Sequence, residues 1–269
     1  MRPMATYGRD RMLALVERSP AAAGAHDRDA WVGLFGDGGI VNDPMGSRAH
    51  VGVGEIERFY DTFIGPRNIA FHRDVDVVGE HSVIRDLELE VEMSPKVTLR
   101  VPVFIRYDLQ ECDGALHITR LSAFWELPGM ITQFVRCGMA AGPVGVKLTL
   151  ALLRNQGIRG TVGFAQGFRR VGPGAKSAVE NFLEAAARGD VQGARRLLDP
   201  QAPVVVLGDE AVGVEHVVGQ LRGVKAHKLL AAGDTVAVAL HLDGRKGLGF
   251  FVFGTRRGSI SAVEMFFGE

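Results

Sequence analysis

From His81 to Met93 the chain reads HSVIRDLELEVEM, and its side chains divide by parity. Val83, Arg85, Leu87, Leu89, Val91 and Met93 share one side, while Ile84, Asp86, Glu88, Glu90 and Glu92 share the other. A period of two sustained over such a run predicts a half-exposed β-strand whose apolar face needs a cover. The acidic face belongs to solvent unless pairing of sheets covers it. The following stretch, VTLRVPVFIRYDLQECDGALHITRLSAFWEL, predicts two more long strands, with Asp113-Gly114 supplying a hairpin turn. The cover comes from upstream, where GVGEIERFYDTFI places Ile56, Phe59, Tyr60 and Phe63 on one helical face. Before it, SPAAAGAHDRDAWVGLF predicts a Ser19 cap, Pro20 at the first helical position, and two short helices broken near His26-Asp27. Trp31, Leu34 and Phe35 form a core stripe there. Helices followed by a curved antiparallel sheet make an α+β unit.

The plan then repeats. AAARGDVQGARRLLDPQAPVVVL parallels AGAHDRDAWVGLFGDGGIVND, and AVGVEHVVGQL parallels HVGVGEIERFY. VKAHKLLAAGDTVAVALHL and KGLGFFVFGTRRGSISAVEMFF follow as hairpin-connected strands. Between the two copies, from Pro128 to Pro173, the composition shifts to Gly, Ala and aliphatic residues. Its most apolar part, GMAAGPVGVKLTLALL, contains Pro143 and Lys147 and is shorter than the ~20 residues of a membrane span, so no integral membrane span is expected. A domain-packing helix is favoured over a membrane-surface or lipid-handling one. The expected division is 1–128, an apolar helical linker over 129–175, and a second, degenerate copy over 176–269. The two copies can pair within one chain as an intramolecular pseudo-dimer, or the chain can form a homodimer.

Thirty-one basic residues balance thirty-one acidic ones, which removes the electrostatic ground for a nucleic-acid partner and favours a neutral, hydrophobic small-molecule ligand. Cys112 and Cys137 stand alone, without CxxC or His-Cys spacing, so neither a disulfide framework nor a zinc site is expected. The N-terminal MRPMATYGRDRMLALVERS carries charges through its apolar residues and lacks a signal-peptide pattern. A cytoplasmic setting is expected.

One carboxylate stands apart. In VNDPMGSRAHVGV, Asp43 sits between an apolar run and a Pro-Met-Gly turn. The wider stretch WVGLFGDGGIVNDPMGSRAHVGVGEIERFY resembles the helix, Asp-Pro-x-Gly turn and covering helix of the steroid delta-isomerases, or ketosteroid isomerases. These belong to the nuclear transport factor 2-like superfamily, which includes the SnoaL-like polyketide cyclases. The resemblance runs from Ser19 to Pro128, with a more distant echo from Lys176 to the C-terminus. It implies two cone-shaped, cystatin-like α+β barrels in tandem, each a curved sheet wrapped by helices, the first enclosing an apolar pocket. It also implies Asp43 as general base, Tyr60 as part of the supporting hydrogen-bond network, and Trp125 as a pocket wall, with Phe35 also a pocket residue. The two donors that stabilise the oxyanion in those enzymes fall at Ser19 and Val103, and this chain has neither.

A carboxylate at the mouth of an apolar pocket is partly desolvated, which raises its proton affinity toward the range useful for a base. Read from local sequence alone, Asp before Pro is a turn residue; the resemblance favours a pocket-facing one. One lost oxyanion donor costs on the order of 2.7–4 kcal/mol of barrier, so two missing donors amount to roughly 5–8 kcal/mol. His72 and His117 sit in no motif and read as surface or structural residues. GDGG at 36–39 lacks the strand and spacing of a phosphate loop. In the second copy, an acid equivalent to Asp43 requires a shifted loop bringing in Asp209, and Phe267 stands for Trp125. The leading expectation is an isomerase-like or cyclase-like protein acting on a hydrophobic carbonyl compound, with no metal and no organic cofactor. The alternative is a non-catalytic carrier of such a molecule, and a third is a structural interaction module.

Overall fold

The computed structural model describes residues 7–157, 171–172, 174–200, 204–254 and 259–268. The predicted hairpin joins β5 (Val97–Cys112) to β6 (Ala115–Phe124), and Asp113 and Gly114 both adopt positive φ, 53° and 79°. That pair of left-handed residues gives the turn whose twist matches the strands it joins. β4 (Ser82–Ser94) pairs antiparallel with β5, and β3 (Asn68–Val78) with β4. β1 (Phe35–Asn42) runs parallel to β6 and carries the two-residue β2 (His50–Val51) on its far edge. The order β2-β1-β6-β5-β4-β3 leaves β2 and β3 as edges, so the sheet is a curved, mixed, open one and not a closed barrel.

β3 shows what one bulge can do. Up to Arg73 its odd residues face the cone, with Ile69 opposite Val91 and Phe71 opposite Leu89. The register then slips between Arg73 and Val75, bringing Asp76 opposite Arg85 on the inner side and Val77 opposite Ile84 on the outer. Arg85, 2% exposed, is held there by both oxygens of Asp76 at 2.7 and 2.9 Å, and by Glu17 at 2.8 Å.

α1 (Arg9–Gly24) starts eleven residues earlier than the Ser19 cap predicts, and Pro20 lies inside it. The reason is packing: Met12, Leu15, Val16, Ser19, Ala22 and Ala23 form one buried stripe against the sheet, enough to offset the ~3 kcal/mol cost of an interior proline. The break at His26 is as expected, and Asp27 caps α2 (Arg28–Val32) by accepting from Ala30 N at 2.9 Å. Phe35 belongs to β1, not to the helical stripe. α3 (Val53–Phe59) runs into a wide π-helical turn, Tyr60–Ile64.

The second copy repeats the strand order and the three helices. β7 (Val204–Leu207), β8 (Glu210–Ala211), β9 (Lys225–Ala232), β10 (Thr235–Leu242), β11 (Arg245–Phe253) and β12 (Ile260–Phe267) stand in the order β8-β7-β12-β11-β10-β9, with β7 parallel to β12. α6 (Gly174–Arg188), α7 (Val191–Arg195) and α8 (Val214–Gln220) take the places of α1 to α3. Asp190 caps α7 through Gly193 N at 2.8 Å, as Asp27 caps α2. Inside this cone Phe182, Phe251, Val263 and Met265 are packed together.

The outer faces of the sheets meet. Val77, Ile84, Phe104 and Phe124 pack on Leu230, Ala237, Leu248, Phe250 and Phe266, with Phe124 and Phe250 ring centroids 4.8 Å apart. The acidic face of β4 is therefore not all solvated: Asp86 is 5% exposed and receives Lys228 Nζ at 2.5 Å, while Glu88, Glu90 and Glu92 stay half-buried. Arg106 bridges Asp108 and Glu264 across the same contact, at 2.7 and 2.5 Å.

Of the apolar connection, α4 (Leu127–Arg136) and α5 (Ala141–Ala151) lie over the mouth of the first cone. Gly145 of α5 faces the Phe134 ring of α4, and Val144 joins the first cone's core. Among the described residues no helix is long and apolar enough to cross a membrane.

Candidate active site

Asp43 leaves the end of β1 through a cis bond to Pro44. The turn beyond is pinned to β6 by Met45 N donating to Ala123 O at 2.8 Å, and closed by Ser47 Oγ on Pro44 O at 2.6 Å. Trp125 follows β6 directly, and its indole Nε1–H donates to Asp43 Oδ1 at 2.5 Å. Among the described residues this is the sole hydrogen bond to that carboxylate, and it engages Oδ1 and not Oδ2.

Both residues line a cavity in which the centre of a water-sized sphere can move through about 120 Å³. Phe59, Phe63 and Ile64 come from α3 and the wide turn after it. Ile69, Leu89, Val91, Met93, Leu99 and Val101 come from β3, β4 and β5, and Met130 and Leu148 close the top from α4 and α5. The other charged lining group is Arg67. Burial among these hydrocarbon groups pushes the Asp43 carboxyl up to about 6, against the opposing pull of the Trp125 hydrogen bond. A carboxylate tuned so close to neutrality suits a general base.

The remaining sequence-derived candidates lie elsewhere. Ser19, Phe35, Val103 and Tyr60 are buried but are not among the lining residues, because the narrow end of the cone is filled by aromatic groups. Trp31 lies 5.0 Å from Phe35 and 5.6 Å from Tyr60, centroid to centroid, and donates its indole N–H to Ser19 Oγ at 3.2 Å. Val103 shares the inner face of β5 with Leu99 and Val101 but sits one step deeper. The Tyr60 hydroxyl is buried with no hydrogen-bond partner among the described residues. His72 is on the surface beside Glu90, at 3.4 Å.

Two residues escaped the sequence reading. Tyr107, fully buried on β5, shares a hydrogen bond with Ser19, and burial raises its phenol above the usual range while Arg85 pulls it down. At the place where the resemblance puts a phenol the chain thus has a serine, bonded to a phenol from the opposite wall. Arg67 follows Gly65-Pro66 at the end of the wide turn, where no periodicity marks it. In the second copy, Asp209 turns toward the first, its carboxylate accepting from Glu80 N at 2.7 Å, and Phe267 lies under Arg245.

A folded-state carboxyl near 6 against an ordinary 3.8 has a definite consequence for stability. Between those values the folded protein keeps a proton that the unfolded chain releases, so stability falls as pH rises through that window and stays lowered above it. Asparagine carries no such penalty and still accepts from Trp125. Asp43→Asn is therefore expected to be nearly neutral near pH 4 and stabilising by about 3 kcal/mol at pH 8, as measured by urea unfolding at both pH values.

No family model matches the chain. Solved structures do. The Δ5-3-ketosteroid isomerase of a Mycobacterium species is 24% identical, with a TM-score of 0.38, over 44% of this chain and 95% of its own. A Mycobacterium tuberculosis protein in complex with estradiol-17β-hemisuccinate is 22% identical, with a TM-score of 0.40, over 44% and 95%. An epoxide hydrolase/cyclase-like enzyme of pyran ring formation in the polyether salinomycin is 17% identical, with a TM-score of 0.40, over 44% and 93%. Each of these proteins is matched over nearly its whole length by a stretch of this chain the size of one cone.

Proposed function

We propose that the first cone binds an apolar carbonyl compound, of steroid or polyketide type, and that Asp43 moves a proton on it in an isomerase-like or cyclase-like step. The observation that carries this reading is one carboxyl group, raised to about 6, in a cavity walled by apolar side chains apart from Arg67, with one oxygen fixed by Trp125 and the other without a hydrogen bond among the described residues. Asp43 takes the proton from the carbon next to the carbonyl and returns it to another. Trp125 holds the carboxylate in place, and the apolar wall keeps water from solvating it. Tyr60 supports the site from behind by packing on Trp31 without touching the ligand.

The carrier reading keeps a specific observation in its favour: the positions of the two oxyanion donors, Ser19 and Val103, lie beneath the cavity floor, and the Trp125 N–H is already used by Asp43. Turnover of a 5-en-3-oxo steroid, followed by absorbance of the conjugated product beside an Asp43→Asn control, separates the two. Ligand binding is tested independently by Leu148→Trp, which fills the top of the cavity from α5. Affinity for an apolar steroid, read by fluorescence titration, is expected to fall at least about tenfold with little change in stability. Unchanged affinity would place the ligand outside this cavity.

A further inference from the structure

We propose that Arg67 anchors a carboxylate at the far end of the apolar ligand, so that the ligand class is a hydrophobic carboxylic acid carrying a carbonyl. This rests on the reading that the first cone takes an apolar ligand, and adds the chemistry of that ligand's second end.

The geometry is unusual for an arginine. The residue lines the cavity, with Nη1 donating to Thr62 O at 2.6 Å and Nε to Met93 Sδ at 3.1 Å. Both acceptors are neutral, and thioether sulfur is a weak one. Among the described residues Nη2 has no partner and Arg67 forms no ion pair. The other arginines held in the protein's interior are treated differently: Arg85 is matched by Asp76 and Glu17, and Arg106 by Asp108 and Glu264. A cation turned into hydrocarbon without a counter-charge is costly unless something brings one. Burial lowers the Arg67 proton affinity to about 10, so it stays charged at neutral pH.

Asp43 is not that counter-charge. Its acidity is governed by burial and Trp125, with no contribution from Arg67, and the two form no ion pair. The cavity therefore carries a carboxyl and a guanidinium side chain that are not paired with each other, in a lining that is otherwise apolar. A guanidinium with unused N–H groups on one side is shaped to take a carboxylate through paired charge-assisted hydrogen bonds.

The experiment compares a 3-oxo-steroid-17-carboxylic acid with its methyl ester by fluorescence titration, on the full chain. The native protein is expected to bind the acid at least about tenfold more tightly than the ester. Arg67→Gln should weaken the acid by about 10- to 100-fold and the ester by less than about twofold. Arg67→Lys, which keeps the charge and loses the fork, should fall between. If Arg67 only caps the carbonyl of Thr62, both ligands lose affinity together, which overturns the proposal. Equal affinity of native protein for acid and ester also overturns it while leaving the apolar pocket intact. Binding of neither ligand would remove the pocket reading and this one with it.

Discussion

Replacing Lys228 with alanine is expected to lower the unfolding free energy by about 3 kcal/mol at pH 8. Lys228 reaches from β9 into the first sheet, where its ammonium meets Asp86 Oδ1 at 2.5 Å and the carbonyl oxygens of Leu87 and Val103 at 3.2 and 3.4 Å, and lies 4.4 Å from the Phe104 ring centroid. Removing it strands Asp86 between two sheets, and an orphaned interior charge costs more than the intact pair contributes. The lower end of the ~3–5 kcal/mol range for breaking buried pairs applies, because a quarter of the Lys228 side chain is exposed. Burial already holds the Asp86 carboxyl above the usual range, with Lys228 opposing. Without the lysine it rises further, and the stranded group escapes by taking a proton. The loss is thus expected to shrink as the pH falls toward 5. Urea unfolding at the two pH values measures this, and replacing both partners, Asp86→Leu with Lys228→Met, should recover most of it. A loss under about 1 kcal/mol would mean the pair behaves as a solvated surface bridge.

The second large effect concerns chemistry. Asp43→Asn is expected to cut kcat/KM on a 5-en-3-oxo steroid by about 10²- to 10⁴-fold, the usual worth of a positioned general base. Asparagine keeps the shape and the acceptor for Trp125 Nε1, so binding should survive while proton transfer does not. In the unsubstituted protein the working form is the carboxylate. With a value of about 6, the rate should climb from pH 5 to 7 and then level. Equal rates for the two proteins would retire Asp43 as a base. The absolute rate should be modest, since two absent donors withhold roughly 5–8 kcal/mol of stabilisation.

How much of this could be read from the chain depended on how local each signal was. The alternation in β4 and the Asp113-Gly114 turn state their own structure, because parity and positive φ are properties of neighbouring residues. The repeat of helix, turn and hairpins foretold two sheets of the same strand order. Pro20 misled, because a local rule about helix starts was outweighed by a stripe that begins at Met12. β3 went unread since its bulge divides its apolar residues between two faces, and only the partner strand decides where the change falls. At the site, Asp43 and Trp125 were legible through their motif and their place in it. Ser19, Phe35, Val103 and Tyr60 aligned with pocket positions but were displaced from the wall by the bulk of Trp31 and its neighbours, a volume effect that spacing does not encode. Arg67 became visible only once an absence could be seen in three dimensions, the carboxylate that its two counterparts possess.

Joining the paired sheets covalently changes what selection can reach. Identical subunits related by a two-fold axis must share every substitution, so a cavity opened in one is opened in the other. Within a single polypeptide the twins are free to differ: Phe182 and Phe251 can fill one interior while its sibling stays hollow. The filled copy then stays paired with its sibling at any dilution, because tethering replaces association.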